Sequence, residues 1–128
     1  MNALTSEWVE KAEGDYRSAW REVRARRDPN YDDACFHAQQ CAEKYLKAHL
    51  QEAGIPFQRT HDLVALLDLC HPLRPAWDLL RDDLRLLNAY AVDVRYPGQT
   101  ATAVEARQAV HTVRRLRVHF RTALGLAP

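Results

Sequence analysis

The sequence predicts an all-α protein: an up-and-down antiparallel helical bundle of four long helices plus one short helix. Three observations support this fold class. Apolar residues recur every three or four positions along most of the 128 residues, which is the spacing of one face of a helix. Four groups of helix-breaking residues divide the chain into five segments, with little of the apolar and polar alternation that indicates strands. The connections are short, so successive helices are expected to fold back on one another.

Size and composition predict one soluble domain, spanning residues 1–128. A chain of this length buries about two-thirds of its unfolded surface in one core. Its 18 Lys and Arg residues against 17 Asp and Glu residues leave a net charge of +1, so no overall field attracts nucleic acid or an acidic membrane. No apolar run reaches the roughly 20 residues that span a bilayer, and the three cysteines indicate reduced thiols. We therefore expect a cytoplasmic protein with no membrane association.

The first helix is predicted over about residues 7–26. Ser6 is its expected N-cap, and Pro29 ends it because proline disfavours helix in the residue before it. The apolar stripe of this helix includes Trp8 and Trp20. Both indole rings are therefore expected in the core.

The second helix is predicted to begin after Asn30 and to end at Gly54. Asn30 is a good N-cap, and the carboxylates of Asp32 and Asp33 complement the positive end of the helix dipole. A glycine followed by Ile-Pro is a common helix stop. This helix is therefore expected to be about 23 residues long.

The remaining three helices follow clear start and stop residues. The third begins with Thr60 as N-cap and is closed by Pro72, while the fourth follows Pro75 and continues to a loop at residues 93–99. The fifth opens with Thr102 to Glu105, which matches a capping box. Its inward-facing residues are expected to be Val110, Val113, Leu116, Phe120 and Leu124.

The polar face of the second helix carries the first candidate site. His37, Gln40, Lys44 and Lys47 follow one another at spacings of three and four, so they form one continuous strip. Two lysines neutralise a phosphate, and His37 and Gln40 donate hydrogen bonds to it or to a base. The alternative is a solvated face on which Glu43 and Lys47 form an i, i+4 ion pair.

Two turns supply further candidates. His61 and Asp62 follow the Thr60 cap; Asp62 gains from the helix dipole, but adjacent helical residues diverge by 100° and do not form a catalytic pair. In the loop before the last helix, the Arg95 guanidinium is suited to gripping a phosphate, and Tyr96 adds stacking surface. The alternative is that Arg95 pairs with a carboxylate or with a helix C-terminus.

Other patterns predict less. Helix five carries a basic stripe. We interpret it as a solvent-exposed face rather than an RNA-binding one, because the net charge of the chain is only +1. The stripe consists of Arg107, His111, Arg114 and Arg121. His37 and Cys41 share a helix face, but the chain has none of the paired Cys-x-x-Cys spacings of zinc sites. We therefore expect neither a metal nor a cofactor.

The order of residues in three separated motifs resembles the HEPN domain family. The family carries a helix similar to the stretch from Phe36 to Leu50, then a Thr-His-Asp-Leu helix start, then a late segment similar to Ala-Arg-Tyr-Pro. Here the second motif is Thr60 to Leu63, and the third is Val94 to Pro97. The resemblance covers about residues 5–124.

This resemblance implies a homodimeric bundle that binds nucleotide and pairs with a minimal nucleotidyltransferase, in systems that look like toxin and antitoxin. Ribonuclease members of the family carry an arginine, four to six residues, and then a histidine. Counted from Arg95, the corresponding positions are Thr100, Ala101 and Thr102, so the usual general acid or base is missing. The resemblance therefore favours a binding role over RNA cleavage.

Three hypotheses follow. The first is a nucleotide-binding and interaction module that partners a small nucleotidyltransferase. The second is a metal-independent endoribonuclease with a non-standard site, in which Arg95 acts with His61 or His37. The third is a structural bundle with no ligand.

Overall fold

A computed structural model of the chain describes residues 1–91 and 97–128. Every α-helix and 3-10 helix in these two ranges has a counterpart in the predicted series, and the ranges contain no strand, which confirms the all-α prediction. The elements are α1 (Ala3–Arg24), α2 (Tyr31–Ala53), α3 (Leu63–Cys70), a 3-10 helix (Pro75–Leu80), α4 (Arg81–Asn88) and α5 (Ala103–Ala123).

The two longest helices pack antiparallel. The backbone N–H of Asn2, at the start of α1, donates to the carboxylate of Glu52 at the end of α2. Farther along the pair, Asp15 of α1 contacts His37 of α2. These contacts place the middle of α1 over the polar face of α2.

Helix α5 packs on α2 in the same direction. The backbone N–H of Ala101 donates to Asp32 in the first turn of α2, and the ring of His49 contacts the carbonyl oxygen of Phe120 near the other end. Since α1, α3, α4 and α5 all contact α2, this helix is the centre of the bundle.

The chain returns along α2 before α3 begins. Gly54 adopts a left-handed conformation (φ 69°) that ends α2, as predicted, and glycine adopts it without steric cost. Residues 55–62 then run back along the helix, so that the side chain of Gln39 donates to the carbonyl oxygen of His61. This return brings the start of α3 beside the middle of α2.

The fourth helix is shorter than predicted. Residues 75–80 form a 3-10 helix, and α4 itself has only eight residues, so the described bundle has three long α-helices rather than four. The change of helix type occurs at Leu80, whose ψ of −5° lies outside ordinary α-helical values. Helix α4 then runs antiparallel to α3, and its last residue, Asn88, contacts Asp62.

Two predicted N-caps were assigned to the wrong residue. Helix α1 begins four residues earlier than predicted, because the side chain of Asn2 rather than Ser6 accepts from the first turn. Helix α3 is capped by Asp62, which accepts from two backbone N–H groups, and not by Thr60. The caps predicted for α2 and α5 are confirmed.

The core lies around α2, where side chains from all the other helices meet. Its fully buried large side chains include Tyr45, Leu46, Leu63, Leu66, Leu84, Leu87, Leu116 and Phe120. The prediction that Trp8 and Trp20 lie in the core is wrong, because both are only partly buried at the bundle edge. Within residues 1–91 and 97–128, we find no helix with the length and apolar character needed to cross a membrane.

Candidate functional site

Much of the polar face of α2 is buried, although His37 and Lys44 are partly exposed. Gln40, Glu43 and Lys47 are only 9%, 3% and 7% exposed, so the expectation of a solvent-facing strip is wrong for these residues. The reason is tertiary: α1 packs against one edge of this face and the returning segment before α3 packs against the other. Polar residues in such a place need partners, because an unpaired buried polar group costs several kcal/mol.

Glu43 is the partner that these buried polar groups share. Together with Gln39, Gln40, Lys47 and His61 it forms what we call the Glu43 cluster. Its carboxylate accepts from Lys47 Nζ at 3.0 Å and from His61 Nδ1 at 2.8 Å. The side-chain amides of Gln39 and Gln40 approach the same oxygen as His61, at 3.3 and 3.4 Å. The i, i+4 pair predicted from sequence is therefore confirmed, but it is buried rather than solvated.

His61 is the member of the Glu43 cluster that reaches solvent. Its side chain is 60% exposed, while that of Glu43 is 4% exposed. An ionised carboxylate only accepts hydrogen bonds, so the imidazole proton on this side resides on Nδ1. The second ring nitrogen, Nε2, then carries the lone pair of the neutral ring.

Lys47, unlike His61, lies within the protein. Its ammonium group lies 5.6 Å from the centre of the Trp8 ring and 6.0 Å from that of Phe57, in addition to its bond with Glu43. Aromatic faces attract a cation, especially a desolvated one. The charge of Lys47 is thus satisfied within the protein.

His37 and Lys44 are engaged by α1. Asp15 accepts from His37 Nδ1 at 2.7 Å and from Lys44 Nζ at 2.5 Å. Burial pushes the pKa of the Asp15 carboxyl upward, but the hydrogen bonds from His37 and Lys44 outweigh it and leave this pKa below its usual range. The same hydrogen bond raises the pKa of His37 above its usual 6.5. Asp15, His37 and Lys44 form a second internal group, the Asp15 cluster.

The Asp15 cluster makes stability depend on pH. The raised pKa of His37 contributes stability below pH 6.5 that is lost as pH rises through the folded pKa, whereas the lowered pKa of Asp15 contributes above pH 3.8. His37→Ala is therefore expected to lower the free energy of unfolding by about 1–2 kcal/mol near pH 5 and by less near pH 8. Urea unfolding across this range tests the prediction, with the exposed His119→Ala as control. A loss that grows from pH 5 to pH 8 would contradict it.

The remaining candidates lie at the start of α3 and beyond. Asp62 caps the helix, and a hydrogen bond from Asn88 is the main cause that keeps the pKa of its carboxyl below the usual range. This bond fixes the end of α4 beside His61. Arg95 and Tyr96 lie outside the residues that the structure describes, so their roles remain predictions.

One partly buried polar group was not found from the sequence. Glu13 of α1 accepts from Arg117 through two nitrogens and from the hydroxyl of the buried Tyr45, and it forms an ion pair with Arg121. The spacing of Arg117 and Arg121 on α5 is a signal that both face one neighbour. Nothing in the sequence places Glu13, 104 residues earlier, as that neighbour.

Comparison with known proteins identifies the family. The sequence profile of the HEPN domain matches residues 5–119. The chain belongs to the HEPN domain family. Two solved structures resemble this HEPN protein along most of its length, whereas no curated protein sequence matches it significantly.

The first of these structures is ST0689, an archaeal HEPN homologue. It is 26% identical, covers 93% of this chain and 96% of its own, and has a TM-score of 0.72. The second is TT1696 from Thermus thermophilus, which is 27% identical, covers 91% of this chain and 94% of its own, and has a TM-score of 0.74. The bundle is thus shared with solved proteins of bacteria and archaea.

Two of the three motifs that resembled the HEPN family meet in the structure. The helix motif supplies Glu43, and the Thr60 to Leu63 motif supplies His61, whose Nδ1 lies 2.8 Å from the Glu43 carboxylate. The structure thus places this turn beside the polar residues of α2. The candidate site of this HEPN protein is therefore an exposed imidazole paired with a buried carboxylate.

Proposed function

We propose that this HEPN protein is a nucleotide-binding and interaction module, in which His61 contacts a phosphate of a nucleotide or of RNA. One observation carries the proposal: His61 is held by a buried carboxylate while most of its ring faces solvent. The carboxylate fixes the orientation of a ring that is otherwise largely open to solvent. Membership of the HEPN family supports the same reading.

The chemistry at His61 suits a phosphate. In the imidazolium form, Nε2–H donates a charge-assisted hydrogen bond to a phosphate oxygen, and Glu43 holds the ring in place. The buried ammonium of Lys47 offsets the charge of Glu43, so the carboxylate does not repel an incoming anion. Arg95 is the second proposed contact, with Tyr96 stacking on the base. The remaining predicted site residues are proposed to support this site from within: His37, Gln40, Lys44, Lys47 and Asp62.

Replacement of His61 tests the proposal. His61→Ala is expected to weaken nucleotide binding about 10- to 100-fold, which corresponds to the loss of one hydrogen bond to a charged group. Isothermal titration calorimetry with AMP and with a short RNA measures the effect. His71→Ala is the matched control, because His71 is an exposed histidine at the other end of α3. Equal affinity of the two variants would reject His61 as the contact.

We further propose that the module is a cytoplasmic homodimer that pairs with a small protein of the nucleotidyltransferase fold in a toxin–antitoxin-like system. The basis is the resemblance of the three motifs to HEPN proteins of that type. Native mass spectrometry of the protein, gently purified from its own organism, reports subunit number, partners and retained nucleotides together. A complex with a nucleotidyltransferase is expected, and a bare monomer would count against both parts of this proposal.

A second candidate function is RNA cleavage without metal, and the Glu43–His61 pair specifically favours it. A carboxylate that binds Nδ1 leaves the neutral Nε2 as a general base for the 2′-hydroxyl of RNA. Cleavage by this route requires His61 and the proposed Arg95, and it continues in excess chelator. Cleavage that is unchanged in both His61→Ala and Arg95→Ala would remove this candidate.

A further inference from the structure

The exposed side of α1 carries a groove that the proposed site does not use. The groove has a volume of about 650 Å³ and is lined by Tyr16, Arg17, Trp20, Arg21, Arg24 and Ala25. The three arginines are exposed. The guanidinium of Arg24 lies 4.7 Å from the centre of the Trp20 ring. The partly buried Trp20 ring thus lies among three cations, with the guanidinium of Arg24 over one face.

Helix α5 continues this surface across the bundle. The ring of His111 lies 5.3 Å from that of Trp20, in an edge-to-face contact. A second contact between α1 and α5 is the hydrogen bond from Arg117 to Glu13. From the Glu13–Arg117 contact to the Trp20–His111 contact, residue numbers increase along α1 and decrease along α5. The two helices are therefore antiparallel.

This register brings more arginines to the groove. Arg114 lies on α5 at the level of Arg17, and Arg107 lies at the level of Arg24. On a helix, residues three and four positions from His111 share its side, and both of these arginines are exposed. The five arginines of this surface form what we call the α1–α5 basic face: Arg17, Arg21, Arg24, Arg107 and Arg114.

The positive charge of the basic face is not compensated within the described parts of the chain. Residues 16–27 contain five arginines and one glutamate, and this glutamate, Glu22, accepts from the backbone of Asn30. Among residues 1–91 and 97–128, no ion pair involves any of the five arginines of the face. The net charge of +1 for the whole chain therefore conceals a strongly cationic surface.

We propose that the α1–α5 basic face binds single-stranded nucleic acid, with the arginines on successive phosphates and a base stacked against Trp20. Stacking requires an unpaired base, which favours a single strand over a duplex. An acidic membrane fits less well, because residues 16–27 contain no exposed large apolar residue and the exposed large apolar residues of α5 are two valines, Val104 and Val118, rather than aromatic or leucine side chains. The proposal does not depend on the function assigned to His61.

The test compares two triple variants that remove equal charge. Arg17→Gln, Arg21→Gln and Arg24→Gln together remove three cations of the face, whereas Arg59→Gln, Arg85→Gln and Arg115→Gln remove three exposed cations elsewhere. Fluorescence anisotropy with a labelled 20-nucleotide RNA measures affinity at several salt concentrations. The first variant is expected to bind at least about tenfold more weakly and to lower the slope of log K against log salt by about 2, as for three lost phosphate contacts. The control is expected to stay within about twofold of the unmodified protein.

Further arms separate the possible ligands. Binding is compared for an RNA strand and a DNA strand of the same sequence, which shows which nucleic acid is preferred. Tighter binding of either strand than of duplex DNA supports the proposal. Equal losses in the two triple variants would overturn it, as would equal binding of duplex DNA or binding only to vesicles of anionic lipid. Loss of AMP affinity in His61→Ala reports on His61 alone, whereas the change of salt slope in the triple variant of Arg17, Arg21 and Arg24 reports on the basic face alone, so failure at His61 and failure at the basic face are distinguishable.

Discussion

Replacing Glu43 with alanine is expected to lower the free energy of unfolding by about 3–5 kcal/mol. The carboxylate is the shared partner of Lys47 and His61, and the side chain of Lys47 is only 8% exposed. Without Glu43, this ammonium is left as an uncompensated buried charge, which is the costly outcome for an internal ion pair. Urea unfolding followed by circular dichroism measures the loss. Glu10→Ala, at an exposed position of α1, is the control.

A double variant separates the buried charge from simple loss of volume. Glu43→Leu combined with Lys47→Met removes both charges and fills similar space, so it is expected to recover most of the stability lost in Glu43→Ala. A Glu43→Ala loss below about 1 kcal/mol, the range of a solvated surface pair, would show that the polar face of α2 is open to water.

Acidification from pH 7 to pH 4 is expected to lower the free energy of unfolding by about 3 kcal/mol through His49 alone. Burial of the ring lowers the pKa of His49 from 6.5 to about 4, against the raising effect of its hydrogen bond to the Phe120 carbonyl, and nearby Arg74 lowers it further. Below pH 6.5 the unfolded chain takes up a proton that the folded chain does not. Stability is therefore complete above pH 6.5 and is lost as pH falls through about 4.

The variant His49→Leu tests this assignment. It removes the titrating ring from its place against Trp77 and Phe120, so the free energy of unfolding of the wild type minus that of the variant should fall as the pH falls. Urea unfolding at half-unit steps from pH 7 to pH 4 gives this difference. Carboxylates such as Glu13 and Asp15 also titrate in acid, but they are common to both proteins and cancel. A difference that stays constant over this range would contradict the assignment.

Local features of the fold were predictable from the sequence because their causes lie within a few residues. Asn30 caps α2, Thr102 and Glu105 form a capping box, and the glycine after α2 adopts the left-handed conformation. The buried stripe of α5 follows from its period of 3.6 residues. Local prediction also failed in places. At the starts of α1 and α3, two residues within four positions of each other are both suitable N-caps, and the wrong one was chosen. Helix four was predicted too long.

The burial of the polar face of α2 was not predictable in this way. Helical periodicity separates polar from apolar residues, but it does not reveal how many helices surround the one that carries them. The pair Glu43–Lys47 is local and was found, whereas His61 reaches Glu43 only because residues 55–62 return along α2. Glu13 and Arg117 meet from opposite ends of the chain, which local patterns likewise do not reveal.

The most direct test of the proposed site is an NMR titration that follows the imidazole signals of the labelled protein as AMP or a short RNA is added. Binding at the Glu43–His61 pair predicts saturable shifts of the His61 ring signals, with those of His71 unchanged. The same shifts should be absent from Glu43→Gln if the carboxylate orients the ring. If the His61 signals do not move at millimolar nucleotide or RNA, the central claim that this imidazole contacts the phosphate is wrong.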